Sequence, residues 1–527
     1  MTSIPGLLAG LLVLGATAGP VPEGAHHVDA GFKVDGEVLA GRFQDVDGDG
    51  ARELVLAVRR RDAGDRQLRI HRFRADGMLD PVAATSIRIL DDVVAWACAD
   101  VRAEPGREFV FLTRTGAYSF SPTRSGYKGN IERLIEAPIF YDVPDPDGLP
   151  EWRYVIPRAG GDALLLPGPT GYAVWSPDED GAYTVECDRL EDDPEAIEDE
   201  GYRGGRRDHD DGERGFSIGR GKPGVQEDFS RFAWMPFLSA SNSMHSPALV
   251  DFDGDGLVDL VRRKSRQLHI HRATADGIPD EATRVERYPE LLRDSSTDED
   301  LSFHDLDGDG DLDVLVRLRK ERDGPLQSET EFRFLVMRND GETVLTEKPL
   351  QVLSFEGADV RASVTDVDGD GLLDLVVSKV GAPDLLELAS ADGLDFTRST
   401  LAYFGTGDCR FTRTPTLDPH PMRFGEESLD EAISKRMLSY DCDGDGIADL
   451  VDVDLRGRVA IYRVLFESGF FSGDTWTLEK VPSRRFDVDA SLRNLAVDDL
   501  NGDGLGDIFS HRDEHITLLL SRRRGDR

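Results

Sequence analysis

The sequence predicts an all-β repeat protein, on three observations. An acidic loop of nine residues, D-x-D-G-D-G-x-x-D in its commonest form, returns six times along the 527 residues. Short apolar runs of β type flank the copies, such as "LSFH" before and "VLVRL" after the third copy. Most successive loops, counting two weaker copies, begin 43 to 75 residues apart, the length of a unit of four short strands.

The six loops align without gaps. In chain order they are DVDGDGARE (45–53), DFDGDGLVD (251–259), DLDGDGDLD (305–313), DVDGDGLLD (366–374), DCDGDGIAD (441–449) and DLNGDGLGD (499–507). The two weaker copies are DVRAEPGRE (100–108) and VPDPDGLPE (143–151). Six copies with this many specified positions do not arise by chance, so we interpret the loop as a functional element.

The spacing within the loop predicts a calcium site. Oxygen ligands at positions 1, 3 and 5, a backbone carbonyl at position 7 and an acid at position 9 suit a cation that takes six to eight oxygens. Glycines at positions 4 and 6 permit the positive φ angles of a tight wrap. Magnesium prefers a strict octahedron with several waters, and zinc prefers His or Cys, which these loops lack apart from Cys442 at the variable second position. The alternative is an acidic turn without metal, in which four clustered carboxylates would repel one another.

We therefore predict about six calcium ions, one for each intact loop. The predicted ligands are Asp45, Asp47, Asp49, Ala51, Glu53, Asp251, Asp253, Asp255, Leu257, Asp259, Asp305, Asp307, Asp309, Asp311, Asp313, Asp366, Asp368, Asp370, Leu372, Asp374, Asp441, Asp443, Asp445, Ile447, Asp449, Asp499, Asn501, Asp503, Leu505 and Asp507. An EF-hand instead places its last acid at position 12 between helices. Here the β-type flanks predict that the metal closes a β-hairpin.

These loops and their strand flanks resemble the FG-GAP/VCBS repeat family, to which the propeller of integrin α-subunits belongs. A literal "GAP" follows the loop at 366–374 (residues 381–383), and the resemblance covers nearly all of the chain after about residue 30. The resemblance implies a β-propeller with one four-stranded blade per repeat. It also implies calcium in the hairpin between the first two strands of a blade.

Counting the loops predicts eight blades, with seven as the alternative. In the repeat at 366 we assign the four strands to "RASVT", "LDLVVSK", "DLLELAS" and "LDFTRSTLAY". The last repeat stops at "ITLLLSRRR", one strand short, and "AHHVDAGFKV" near the N-terminus can supply that strand. Joining both chain ends in one blade would close the ring and hide its edges.

The domain prediction is a signal peptide at 1–18 followed by a single propeller at 24–527. The apolar run from Gly6 to Gly15 is too short to span a bilayer and precedes the small residues "ATA", although no Lys or Arg comes before it. We therefore expect a secreted, cell-surface or periplasmic protein without a transmembrane segment. The four cysteines fit no zinc or redox motif, which leaves a disulfide and free buried thiols as alternatives.

Two insertions, about 189–243 and 405–435, are expected to connect the last strand of one blade to the first strand of the next. They would leave the face opposite the metal loops, here termed the loop-rich face. Binding residues usually lie on loops of a rigid scaffold. Our candidates for contact with a protein or glycan partner are Tyr202, Arg203, Arg206, Trp234, Met235 and Phe237, and the alternative is that "FAWMPF" packs as core.

The predicted function is a calcium-stabilised binding or adhesion module, monomeric and not an enzyme. A net charge of −39 argues against nucleic acid and anionic membranes as partners. The segment "GFSIG" (215–219) lacks the flanking strand and helix of a nucleophile elbow. His269 and His271 suit the rim of a half-exposed strand better than a metal pair. The terminal "RGD" (524–526) is expected by chance in a chain of this composition. The alternative function is a polysaccharide-active lyase or hydrolase, because some propellers with similar repeats carry such sites.

Overall fold

The computed structural model describes most of the chain as β-strands. The described residues are 26–103, 105–122, 130–139, 148–168, 171–191, 247–264, 266–292, 297–320, 330–341, 343–381, 395–418, 422–425, 436–453, 457–468, 475–488 and 495–523. Within them the one helical element is a 3-10 turn at Glu290–Leu292. The architecture is an eight-bladed β-propeller, which confirms the predicted fold class and the larger of the two blade counts.

Seven blades are antiparallel sheets whose four strands follow chain order. Blade 1 contains β3 (Glu37–Gln44), β4 (Glu53–Arg59), β5 (Arg66–His71) and β6 (Thr85–Ile89). Blade 2 contains β7 (Val93–Ala99), β8 (Glu108–Thr113), β9 (Gly116–Phe120) and β10 (Ile131–Glu136). Blade 3 contains β11 (Val155–Ile156), β12 (Ala163–Pro167), β13 (Gly171–Pro177) and β14 (Tyr183–Glu191). Blade 4 contains β15 (Ala248–Val250), β16 (Asp259–Lys264), β17 (Gln267–His271) and β18 (Arg284–Arg287).

The second half of the chain continues the pattern. Blade 5 contains β19 (Thr297–His304), β20 (Asp313–Lys320), β21 (Thr330–Met337) and β22 (Gln351–Gly357). Blade 6 contains β23 (Asp359–Thr365), β24 (Asp374–Gly381), β25 (Asp395–Tyr403) and β26 (Met422–Gly425). Blade 7 contains β27 (Arg436–Tyr440), β28 (Asp449–Val453), β29 (Val459–Tyr462) and β32 (Arg484–Phe486), with an extra hairpin of β30 (Val464–Glu467) and β31 (Thr475–Leu478) before its last strand.

Blade 8 joins the two ends of the chain, as predicted. Its strands β33 (Ala496–Asp498), β34 (Asp507–Arg512) and β35 (His515–Arg522) are completed by β1 (His26–Asp29), and β2 (Phe32–Lys33) also pairs with β35. The register aligns Val28 with Leu520 and Asp29 with Leu519. Because β1 covers the outer edge of β35, the last blade has the same four-stranded form as the others.

The hydrophobic core lies between neighbouring blades. Each apolar cluster draws on adjacent sheets, and the one that closes the ring packs Leu54 and Leu56 of blade 1 against Phe509 and Leu518 of blade 8. The second strand of a blade is covered by the neighbouring blades on both faces. In β4, for example, the six residues "ELVLAV" are all buried. Outer strands alternate, as β22 does, because one of their faces meets solvent.

The strand assignment made above for blade 6 is wrong in its second half. The segment "LDFTRSTLAY" provides the third strand, β25, which pairs with β24 from Leu375–Tyr403 to Gly381–Thr397. The fourth strand is β26, inside the range 405–435 that we had assigned to a connection between blades. The segment "DLLELAS" lies outside the described residues. Periodicity identifies β-type runs, but it does not say which run pairs with which.

Chain direction defines two faces of the propeller. The first strand of a blade runs into its first hairpin, and the third strand runs parallel to the first, so the connection from third to fourth strand begins on the same face. We call this the metal-loop face. The connection that begins at residue 404 joins β25 to β26 and therefore starts there, not on the loop-rich face as predicted. The connection between β14 and β15, which contains residues 192–246, starts on the loop-rich face, and those residues lie outside the described ones.

Candidate metal centres

Each of the six intact loops forms the hairpin between the first and second strands of a blade. They belong to blades 1, 4, 5, 6, 7 and 8, and the acid at position 9 is the first residue of the second strand in every case. The hairpin location was predicted from the β-type flanks. What the structure adds is the set of contacts that shapes each loop.

The carboxylate at position 1 organises the backbone. In blade 1 the N–H groups of Gly48 and Gly50 donate to Asp45 Oδ1 and Oδ2 at 2.7 and 2.9 Å. The N–H of the second glycine makes this bond in all six loops. All twelve loop glycines have φ between +67° and +95°, which disfavours any side chain at these positions.

The carboxylate at position 9 does more than the sequence analysis assigned to it. It is buried in all six loops, and one of its oxygens accepts the N–H of position 2 at 2.8–3.1 Å. In blades 4, 5, 6 and 8 the other oxygen accepts an N–H from the end of the third strand, at 2.6–2.8 Å. This acid therefore ties the metal loop to the third strand of its own blade.

Five loops gather acids tightly enough to hold a metal ion. In each group, one oxygen atom from each of three acids lies within 4.8 Å of the corresponding oxygen atoms of the other two acids. The groups are Asp45, Asp47 and Glu53; Asp251, Asp253 and Asp255; Asp305, Asp307 and Asp309; Asp366, Asp368 and Asp374; and Asp441, Asp443 and Asp449. The loop of blade 8 has Asn501 at position 3 and forms no such group of three acids among the described residues.

Unpartnered carboxylate oxygens in the loops of blades 1, 4 and 5 are compatible with a bound cation. Oδ1 of Asp47, Asp253 and Asp307, all at position 3, is buried and accepts no hydrogen bond, and the same holds for Asp251 Oδ1 at position 1. A buried carboxylate oxygen without a donor is costly unless a positive charge satisfies it. A hard cation bound by oxygens supplies that charge.

Burial also perturbs the titration of these acids. It raises the pKa of Asp449 to about 9, with a further contribution from Asp443, and raises the pKa of Asp374 and of Asp507 to about 7. Desolvation disfavours the charged form, and nearby like charges act in the same direction. A bound cation would reverse both effects by favouring the ionised carboxylates.

Four arginines near these loops were missed by the sequence analysis. Arg72, Arg272, Arg338 and Arg463 are each the first residue after a third strand. Each forms an ion pair with the aspartate at position 3, at 2.5, 3.3, 2.7 and 3.4 Å respectively. Their signal in the sequence was an arginine closing a β-type run, in "RIHR", "HIHR", "LVMR" and "AIYR".

The weaker loop at 100–108 is the first hairpin of blade 2 and is held by an internal cation. Position 3 is Arg102, whose guanidinium donates to Ser119 Oγ and to the carbonyls of Ser119 and Asn130 at 2.6–2.9 Å. Glu108 at position 9 still accepts the N–H of Val101 at 3.3 Å. The described part of this hairpin thus keeps the contact of the position-9 acid, although an arginine stands at position 3 in place of the aspartate or asparagine of the intact loops.

The second weaker copy, at 143–151, is not a blade hairpin. Its described residues 148–151 precede β11, whereas the first hairpin of blade 3 is the segment 157–162 between β11 and β12. Asp162 exchanges hydrogen bonds with Asp100 of blade 2: its N–H donates to the Asp100 carbonyl at 2.6 Å, and its Oδ2 accepts the Asp100 N–H at 2.9 Å. The partial motif match pointed to the wrong segment, because the hairpin of blade 3 reads PRAGGD and has two adjacent glycines, Gly160 and Gly161, in place of the D-G-D-G pattern.

Neighbouring loops contact each other around the metal-loop face. The N–H of Leu312 donates to the carbonyl of Phe252 at 3.0 Å, and that of Ala448 to the carbonyl of Val367 at 2.8 Å, in both cases from position 8 of one loop to position 2 of the preceding loop. A Cβ built on Gly369 would lie 2.2 Å from the carbonyl oxygen of Gly446 in the next blade. The loops are therefore mechanically linked to one another.

The remaining sequence candidates have mixed outcomes. All four cysteines are described, buried and free, so the free-thiol alternative applies. His269 and His271 lie on β17, where His271 is buried with Nδ1 2.9 Å from the carbonyl of Pro279. The signal-peptide segment, the six partner candidates from Tyr202 to Phe237, "GFSIG" and "RGD" lie outside the described residues. Within the described part of the chain, no helix has the length and apolar character needed to cross a membrane.

Comparisons with known proteins match part of the repeat region and the propeller fold. The profile of an FG-GAP-like repeat matches residues 251–316 and 305–377. No curated protein matches the chain. Similar solved structures include the Dos1 propeller (8% identity, 95% of each chain, TM-score 0.37), the exotype rhamnogalacturonan lyase YesX (12% identity, 93% of this chain and 75% of that one, 0.36) and Sqt1 from Chaetomium thermophilum (11% identity, 93% and 97%, 0.36). Similarity at this level transfers neither activity nor ligand. The chain is an eight-bladed β-propeller in which residues 251–377 match FG-GAP-like repeats.

Proposed function

We propose that this protein is an exported, calcium-stabilised β-propeller that serves as a monomeric binding or adhesion module. The observation that carries the calcium assignment is the set of buried, unpartnered carboxylate oxygens inside the hairpin loops. The acid groups contain neither His nor Cys, which disfavours zinc. Three or four carboxylates crowded in one loop leave little room for the water shell that magnesium retains.

The proposed role of calcium is structural. Each ion would bind in the hairpin that begins a blade, where position 9 already ties the loop to the third strand. An ion that binds only the folded loop adds its binding free energy to folding. Six divalent ions would reduce the net charge from −39 to about −27, so the surface would stay acidic. Loops of this kind fill at extracellular calcium levels even with dissociation constants of about 10⁻⁴–10⁻³ M.

Partner binding is assigned to the loop-rich face. The connection between β14 and β15 is the longest between two consecutive described strands and begins on that face. Its residues include Tyr202, Arg206 and Trp234, and aromatic and arginine side chains contribute strongly to many interfaces. We propose that this connection contacts a protein or glycan ligand, while the metal loops hold the blades rigid.

The first experiment measures calcium stoichiometry and melting temperature together. Protein stripped with chelator should bind about six ions, with a clear rise in melting temperature as they bind. Absence of binding, or a melting temperature indifferent to chelator, would contradict the proposal. The Asp253→Asn/Asp307→Asn variant should bind fewer ions, whereas Asp91→Asn, outside every loop, should bind as many as the wild type.

A second experiment tests the partner face. Immobilised wild-type protein and the Tyr202→Ala/Trp234→Ala variant are compared on glycan arrays and against extracellular proteins, in calcium. Loss of a ligand by the variant, at unchanged melting temperature, would support the assignment, and identical binding profiles would contradict it. Cleavage of a bound polysaccharide instead of its retention would favour the alternative, a polysaccharide-active enzyme.

A further inference from the structure

The arginines that follow four third strands stand at equivalent places in their blades. The residue after each arginine shows this equivalence. The N–H of Ala273 donates to Asp259 and that of Asn339 donates to Asp313, and both acceptors are the acids at position 9. The preceding residues, Arg272 and Arg338, therefore correspond to each other. We use the name arginine arms for Arg72, Arg272, Arg338 and Arg463.

Two of the six loops have no arginine arm. In blade 6 the N–H of Gly405 donates to the position-9 acid, Asp374. The residue at the place of the arginine is therefore Phe404, which is buried. In blade 8 the bond comes from Ser521, so the equivalent residue is Leu520. Blade 8 also has the neutral Asn501 at position 3 and has no charge there for an arginine to pair with.

The loops of blades 4 and 6 form a matched pair. Their sequences, DFDGDGLVD and DVDGDGLLD, place the same four aspartates at positions 1, 3, 5 and 9. They differ in charge through the arm, since blade 4 has Arg272 beside Asp253 and blade 6 has Phe404. They also differ through the next loop, because Asp311 of blade 5 interacts with Asp253 and Arg272, whereas the equivalent residue of blade 7 is Ile447. The effect of the guanidinium alone is therefore measured by substituting Arg272.

Three of the four arms contact one oxygen of their aspartate and leave the other without a partner; in the fourth, Oδ1 of Asp443 accepts the N–H of Asp445 at 3.2 Å. The guanidinium contacts Oδ2 of Asp47, Asp253 and Asp307, while Oδ1 of the same three residues is buried without a partner. The arm therefore does not fill the position of the cation. It adds a positive charge beside the ligand set and keeps the carboxylate in the orientation that a metal needs.

We propose that the arginine arms weaken calcium binding at four of the six loops and hold those loops in shape when the ion leaves. This inference rests on the proposed calcium function. Two classes of site result, in which the loop of blade 6 binds calcium more tightly than its counterpart in blade 4. The chain thereby combines two classes of site that fill at different calcium concentrations.

Electrostatics decides the direction of the effect. In the metal-free loop the arm offsets part of the repulsion among four carboxylates, whereas in the loaded loop it also repels the ion. Removing the arm therefore destabilises the empty loop and favours binding. The side chains of the arms are 25–51% exposed, so solvent screens their charge. A screened unit charge that contacts one ligand of a divalent ion changes the affinity by roughly three- to tenfold.

The test uses Arg272→Gln, which removes the charge and keeps a hydrogen-bond donor near Asp253. Calorimetric titration of chelator-stripped protein should show one calcium equivalent moving from the weak class to the tight class, with an affinity gain of roughly three- to tenfold. The melting temperature in chelator should fall. The matched control is Arg133→Gln, a comparably exposed arginine that pairs with Glu136 on the outer strand of blade 2, which has no intact loop, and it should leave both classes unchanged.

The outcomes separate this inference from the function on which it rests. If the wild type binds no calcium, the proposed function fails. If the wild type binds calcium but Arg272→Gln leaves that equivalent unchanged or weakens it, the function stands and this inference is overturned. Salt provides a second readout: the ratio of affinities between variant and wild type should shrink toward one as ionic strength rises, whereas a packing effect would not depend on salt.

Discussion

The contact between the loops of blades 6 and 7 makes a sharp prediction for two glycines of one loop. Gly369 and Gly371 occupy positions 4 and 6 and have φ of +74° and +87°. A Cβ on Gly369 would lie 2.2 Å from the carbonyl oxygen of Gly446, whereas a Cβ on Gly371 would meet nothing within 4 Å. The variants Gly369→Ala and Gly371→Ala thus share the backbone strain and differ in the contact between blades.

The expected losses in the free energy of unfolding follow from the backbone strain and from the steric clash. An L-residue in the left-handed region costs roughly 1–2 kcal/mol, which is the whole penalty for Gly371→Ala. Gly369→Ala adds a clash of the overpacking kind, about 1–3 kcal/mol more. The clash is hard to relieve, because the N–H of Gly446 donates to Asp441 Oδ2 at 2.7 Å and fixes the opposing backbone.

The assay is urea unfolding followed by circular dichroism, in saturating calcium and again in chelator. Gly369→Ala should lower the free energy of unfolding by more than Gly371→Ala in both conditions, with unchanged slopes. Because Gly369 contacts the neighbouring loop, its variant should also weaken calcium binding at two sites instead of one. Equal costs for the two variants would refute the mechanical link between loops.

Three further predictions concern charge and closure. Burial raises the pKa of Asp449 to about 9, above its unfolded value near 4, so its stabilising contribution is complete below about pH 4 and is lost as pH rises through 9. In chelator the melting temperature should therefore fall between pH 5 and pH 9, and calcium should flatten this slope; a flat profile in chelator would contradict the assignment. Asn501→Asp adds an acid to the loop of blade 8 and should raise the calcium affinity of that loop by roughly three- to tenfold, as measured by calorimetric titration. An unchanged affinity would argue against a calcium site in that loop. A chain that begins at Ala30 lacks β1 and exposes the edge of β35, so it should melt lower and aggregate in size-exclusion chromatography, unless β1 contributes nothing to closure.

Much of the fold and of the candidate site followed from the sequence because the relevant information is local. Positions 1, 3, 5 and 9 of each loop lie within nine residues, and the glycines between them report the backbone shape directly. The β-type flanks placed each loop in a hairpin. The missing strand of the last repeat predicted closure by the N-terminal segment, since an open edge had to be covered.

The tertiary structure decided what depends on contacts between distant residues. Strand pairing made 395–403 the third strand of blade 6 and 157–162 the hairpin of blade 3, and no periodicity in the sequence contains that pairing. The arginine arms contact loop residues that lie 19 to 31 positions earlier in the sequence, because the first and third strands of a blade run parallel and end on the same face. The sequence by itself determined which residues can surround a metal ion, whereas the packing of blades determined which charges and which neighbouring loops surround those residues.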